Sequence, residues 1–127
     1  MRKHLLALLV LALLLPLAAQ ASSSPSISNL TYEGVNSNTG KMELSWDNVN
    51  VDDMTDAKVQ IKGGGITDVW INVWNLSITQ DPYSTTASFQ DLTSMHDTAY
   101  WLNFRVRVLW GRSPGPTGQT PWASVRI

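Results

Sequence analysis

The sequence predicts an all-β fold, an antiparallel β-sandwich of about seven short strands. Three observations lead there. Apolar and polar residues alternate at period two through most of the chain from Lys41 onward. Turn-forming Gly, Pro and Asp punctuate that alternation every ten residues or so. No stretch after residue 21 carries the 3.6-residue period of a helix.

The first 21 residues stand apart from this pattern. Arg2, Lys3 and His4 precede an apolar run from Leu5 to Ala19, broken late by Pro16, and Ala19-Gln20-Ala21 has the small-x-small form of a signal peptidase site. The run is about 15 residues, shorter than the roughly 20 that a bilayer span requires, so a cleaved secretory signal is expected rather than an anchor. No Cys follows the cut to carry a lipid. Taking 21 of the 127 residues away leaves 106, Ser22 to Ile127, enough for one domain. Two of the nine basic residues go with the leader, so seven face ten acidic ones, formally −3. The expected location is secreted or periplasmic, with no membrane span after signal cleavage.

Within 22–127 each element has its own signal. Ser22 to Ser26 reads as a flexible lead. Met42, Leu44 and Trp46 alternate with Glu43 and Ser45, and Ala57, Val59 and Ile61 alternate with Lys58, Gln60 and Lys62. Both patterns mark half-buried strands. Gly63-Gly64-Gly65 ends the second, because three glycines cost too much entropy inside a regular element. Val69, Ile71 and Val73 form the apolar side of a third strand whose other side carries Trp70, Asn72 and Trp74, with Ile78 as a possible extension. Asp81-Pro82 is a turn, and Thr85, Ala87 and Phe89 suggest a strand before Asp91-Leu92. The longest alternation sets Tyr100, Leu102, Phe104, Val106, Val108 and Trp110 on a core face, against Trp101, Asn103, Arg105, Arg107 and Leu109. Gly111 to Pro121, with three Pro and three Gly, reads as a loop before a last strand through Trp122 or Ala123, Val125 and Ile127.

Leu44-Ser-Trp46, Ser88-Phe-Gln-Asp-Leu92, Phe104-Arg-Val-Arg-Val108, Gly111-Arg-Ser-Pro-Gly115 and Trp122-Ala-Ser-Val125, in this order and spacing, resemble a fibronectin type III domain over roughly Ser26 to Ile127. The resemblance implies an immunoglobulin-like sandwich with Trp46 between the sheets. It also implies a tyrosine corner, for which Tyr100 is the candidate. Leu92 and Tyr100 stand eight residues apart, wider than the family's usual spacing. Either Thr93 to Thr98 carries an insertion or that corner is absent.

Composition limits the chemistry. With no cysteine, the chain has no disulfide framework, thiolate metal site or Cys nucleophile, and must hold together by burying its 43% hydrophobic residues. A net charge of −1 argues against a nucleic-acid binder. After the leader His96 is the one histidine, so a hydrolase would rest on it and a nearby Asp; a solvated loop residue is the better reading. Asp52, Asp53 and Asp56 lack the Gly turn and terminal Glu of a Ca²⁺ loop and read as a charged connection. No metal, cofactor or catalytic residue is expected.

Binding is the chemistry the residues favour. Trp70 and Trp74 lie four apart on one strand face with Asn72 between them. If that face meets solvent, two indoles and an amide form a platform for a protein hot spot or a sugar ring; if it is core, the β-branched face is buried elsewhere. Arg105 and Arg107 point outward with Trp101, placed for cation–π stacking on it. The expected function is a non-catalytic module making protein–protein contact with another extracytoplasmic protein, with carbohydrate binding through the Trp platform as the alternative. Asn29-Leu-Thr31 and Asn75-Leu-Ser77 are sequons, with meaning only in a eukaryotic host.

Overall fold

A computed structural model describes residues 24–51, 53–81, 84–111 and 117–127. The leader expected over 1–21 and Asp52 lie outside them. Among the described residues there is no helix, and nine strands form two antiparallel sheets. They are β1 Ser26–Val35, β2 Lys41–Val49, β3 Met54–Gly63, β4 Thr67–Asn72, β5 Ser77–Gln80, β6 Thr85–Gln90, β7 Leu102–Gly111, β8 Thr117–Gln119 and β9 Ala123–Arg126. One sheet runs β1-β2-β6-β5; the other runs β4-β3-β7, with β8 and β9 both on the far edge of β7. This is the immunoglobulin-like order, with one extra strand, β4, beside the central pair.

Strict period two drives the packing. Met42, Leu44, Trp46, Ala87 and Phe89 point inward from one sheet and Ala57, Val59, Ile61, Phe104, Val106 and Val108 from the other, all buried. Trp46 fills the space between them. Its indole N–H donates to Asn48 Oδ1 at 2.9 Å, and Asn48 Nδ2 donates onward to the hydroxyl of buried Thr85 at 3.0 Å. A polar relay thus closes the end of an otherwise apolar layer.

Departures from the expected elements have local causes. The first strand, β1, has no clear alternation because Asn29 adopts φ 54° and the register with β2 slips twice, between Ser28 and Thr31 and between Tyr32 and Gly34. Val69 is 63% exposed rather than core, because residues 68–70 bulge opposite β3 between the Ile61–Ile71 and Gly63–Thr67 pairs. Ile78 does not extend that strand: the chain crosses to the other sheet and Ile78 pairs with Ala87. Asp56 belongs to β3, not to a loop. Gly111 to Pro121 is not all loop, since Thr117–Gln119 pairs with β7. Pro121 cannot donate to the ladder. Just before it, Thr120 bridges the break, its N–H donating to Val108 O at 2.9 Å and its hydroxyl accepting from Val108 N at 3.0 Å.

The tyrosine corner is not formed by Tyr100. That residue is 63% exposed, because residues 92–100 turn back on themselves through bonds from His96 N to Leu92 O and from Tyr100 N to Asp97 O. Buried Leu92 plugs the corner, and Tyr32 stacks on Phe104, centroids 5.8 Å apart. His96 is half-buried rather than solvated, its Nε2 bonded to Tyr100 O at 2.9 Å.

The glycine run docks onto this corner. Gly64 N donates to Trp101 O and Asp97 N donates to Gly64 O, both at 2.8 Å. Gly63 has φ 87°, and a Cβ there would lie 2.6 Å from Trp101 O. Both the backbone conformation and the close approach therefore demand glycine.

Three outcomes follow for stability, each read from urea unfolding midpoints. Gly63→Ala is expected to cost roughly 2–4 kcal/mol from left-handed strain plus the clash. Gly40→Ala, at φ 68° but with nothing within 4 Å of its Cβ, is expected to cost only about 1 kcal/mol. Asn48→Ala strips partners from the Trp46 indole and the Thr85 hydroxyl, for an expected loss of about 1–3 kcal/mol.

Candidate functional site

The outward positions of the five-stranded sheet assemble one continuous surface. Four adjacent strands supply it at matched register, and in the central pair, β3 and β7, Lys58 lies opposite Arg107, Gln60 opposite Arg105, and Lys62 opposite Asn103. On the far side of β7, Ser124 faces Arg105 and Arg126 faces Asn103. On the near side, Asn72 pairs with Gln60.

Arg105 is the centre. Its guanidinium carbon lies 4.3 Å from the Trp70 ring centroid and 4.0 Å from that of Trp122, indoles that reach it from opposite edges of the sheet. Its Nε and Nη2 donate to Gln60 Oε1 at 2.9 and 2.7 Å, and Gln60 Nε2 donates to Asn72 Oδ1 at 3.0 Å. Desolvation against these neighbours, and then the positive charge of Arg107, draw its pKa below the ordinary arginine value. The group stays charged and is held in one plane.

Arg107 stacks 4.2 Å from the same Trp122 ring, and Arg126 lies 4.4 Å from the Trp101 ring. The outward arginines therefore stack as expected, but not on Trp101. That residue precedes β7, two positions from Asn103, and Arg126, which the register sets across from Asn103 on β9, reaches its ring. Trp101 is otherwise 59% exposed.

The Trp70–Asn72–Trp74 platform is not assembled. β4 ends at Asn72, and the carbonyl of Trp74 accepts from Gln90 N of the other sheet, so Trp74, 40% exposed, belongs to the crossover. Trp70 is half-buried with Arg105 against its ring, and the Asn72 carbonyl oxygen is taken by Gln60. The expected set is brought together only in part: Trp70, Asn72, Arg105 and Arg107 form one cluster, with Trp101 beside it.

Trp122, Gln60, Lys58, Lys62 and Arg126 are the participants that sequence reasoning passed over. Alternation itself points to Trp122, which shares its side with Ser124 and Arg126 against inward Ala123, Val125 and Ile127.

Charge is unequal between the two outer faces without being fully segregated: Asp56, one position before inward Ala57 and paired with Leu109, lies on the cationic face, and Lys41, one before inward Met42, lies on the acidic one. Lys58, Lys62, Arg105, Arg107 and Arg126, five of the nine Lys and Arg in the chain, lie on this one face. Among the described residues no carboxylate forms an ion pair with any of them. Glu33, Glu43 and Asp47 lie on the outer face of the four-stranded sheet, around a shallow polar depression with Asn29, Ser45 and Thr86. The near-neutral total conceals a basic strip. Among the described residues, no group of three or more His, Asp or Glu side chains is placed to hold a metal ion.

Comparison of the chain with protein-family models, with curated proteins and with solved structures finds no match.

Trp122 holds two guanidiniums, and Trp122→Ala is expected to destabilise the fold by about 1–2 kcal/mol in urea unfolding. Trp74→Ala, which removes an indole stacked on no cation among the described residues, is expected to cost less.

Proposed function

We propose that the chain is a secreted, non-catalytic binding module, related to fibronectin type III domains, that contacts another extracytoplasmic protein through the outer face of its five-stranded sheet. One observation carries this reading: five cations share that face, paired with no carboxylate among the described residues, and three of them are pinned by stacking on indoles. Immobilised Arg and Trp side chains give up little entropy on binding, which is why such residues dominate contact energetics. A leader with the form of a cleaved secretory signal and an immunoglobulin-like sandwich free of cysteine support the same assignment. Sugar binding draws less support, because Arg105 lies against the Trp70 ring that a sugar would stack on.

A photo-crosslinking residue introduced at Ser124, on β9 directly across from Arg105, is expected to capture a discrete partner in the native extracytoplasmic setting. The same group at Ser88, on the outer face of the four-stranded sheet, is expected to capture none. Equal capture from both positions, or capture from Ser88 alone, would rule the assignment out.

A further inference from the structure

The cations of the basic face are not scattered. β7 places Arg105 and Arg107 two residues apart, and the next outward step, Asn103, has Arg126 directly across on β9. Three arginines thus occupy successive rungs, two on β7 and the third one strand over on β9; the rungs repeat along the strand at about 6.6–6.8 Å, the same-side repeat of an extended strand. Lysines flank the outer two rungs on β3, Lys58 beside Arg107 and Lys62 beside Asn103.

Stacking decides which parts of these groups remain available. Indole rings lie 4.0–4.4 Å from the guanidinium carbons, so the N–H groups that are turned to neither a ring nor a protein acceptor are what a ligand meets. Arg105 spends Nε and Nη2 on Gln60, which leaves Nη1. The Nε of Arg107 is buried without a partner, while its terminal nitrogens are neither buried nor bonded in the structure. In-plane donor edges match a carboxylate, which accepts paired N–H bonds in the guanidinium plane. A nucleobase or a pyranose ring needs an open aromatic face, and at Trp70 and Trp122 guanidiniums occupy the ring faces.

We infer that this face binds an acidic polypeptide segment in extended conformation, with three carboxylates at alternate positions, each set against one of Arg107, Arg105 and Arg126. The two-residue repeat of the segment equals that of β7, so a single register satisfies all three rungs. This inference rests on the outer face being the contact surface. It adds the chemistry of the partner.

The test uses three synthetic peptides against the protein without its leader: Thr and Glu alternating over three repeats, the same residues with the three Glu contiguous, and Thr alternating with Gln. Fluorescence anisotropy is expected to show binding of the alternating acidic peptide, weakening as salt rises. The contiguous peptide is expected to bind about two- to fivefold more weakly, the worth of one lost exposed charged pair. Arg126→Glu and Lys58→Glu are each expected to weaken binding by a similar factor, and Lys58→Glu, at an exposed position that stacks on no indole, is expected to do so without moving the unfolding midpoint. Arg105→Gln is expected to abolish the preference for the alternating spacing.

Equal affinity for the alternating and contiguous peptides, or none for either, overturns the inference. So does an uronic-acid polysaccharide or a single-stranded oligonucleotide that displaces the alternating peptide at equal or lower concentration of charge. If crosslinking from Ser124 captures a partner while the alternating peptide fails to bind, the acidic strand is wrong and the contact face stands.

Discussion

The two inward rows of side chains that interlock across the sandwich set every other position in the molecule. Without a disulfide, the fold rests on Met42, Leu44, Trp46, Ala87 and Phe89 packing against Val59, Ile61, Phe104, Val106 and Val108. A one-residue slip in any of these strands would expose its whole apolar set. Arg105 and Arg107 are outward because Phe104, Val106 and Val108 are inward. The candidate site is in this sense the reverse side of the core, as rigid as the packing beneath it.

Where the chain leaves this period, a residue with positive φ takes up the change. Asn29 and Asn75, at φ 54° and 58°, each precede a leucine, Leu30 and Leu76, that turns back onto the core. Asparagine tolerates the left-handed region better than other side chains. A conformational role therefore accounts for both asparagines, whatever their place in sequons. At Gly63 the same device ends β3 and lets the following glycines press against the Asp97–Trp101 turn.

Much of this was legible in the order of residues. The central strands β2, β3, β6 and β7 announce themselves because each is buried on one face only, and their alternating Met42, Val59, Phe89 and Phe104 have no competing signal. The edges were harder to read. In β1 and β4, bulges shift the phase, so Leu30 and Val69 fall on faces that simple alternation does not assign them. The site suffers from a different loss: Lys58, Arg107 and Trp122 belong to three strands whose adjacency depends on how sheets are ordered, a long-range property that no local pattern records. Trp101 and Arg105 fall on one side of a single alternating run, whereas Arg126 and Trp122 reach them from the neighbouring β9 segment.

The division of charge between the sheets has a further consequence. Sheets in such a sandwich lie about 10 Å apart, so the excess of carboxylates on one outer surface, Glu33, Glu43 and Asp47 against Lys41, and of cations on the other, five against Asp56, gives the molecule a dipole component across its sheets. A dipole experiences a torque in the field of an approaching anionic body. The protein would be turned to present its guanidiniums before any contact forms, so the separation of charge acts on the rate of productive encounter more than on the lifetime of what is formed.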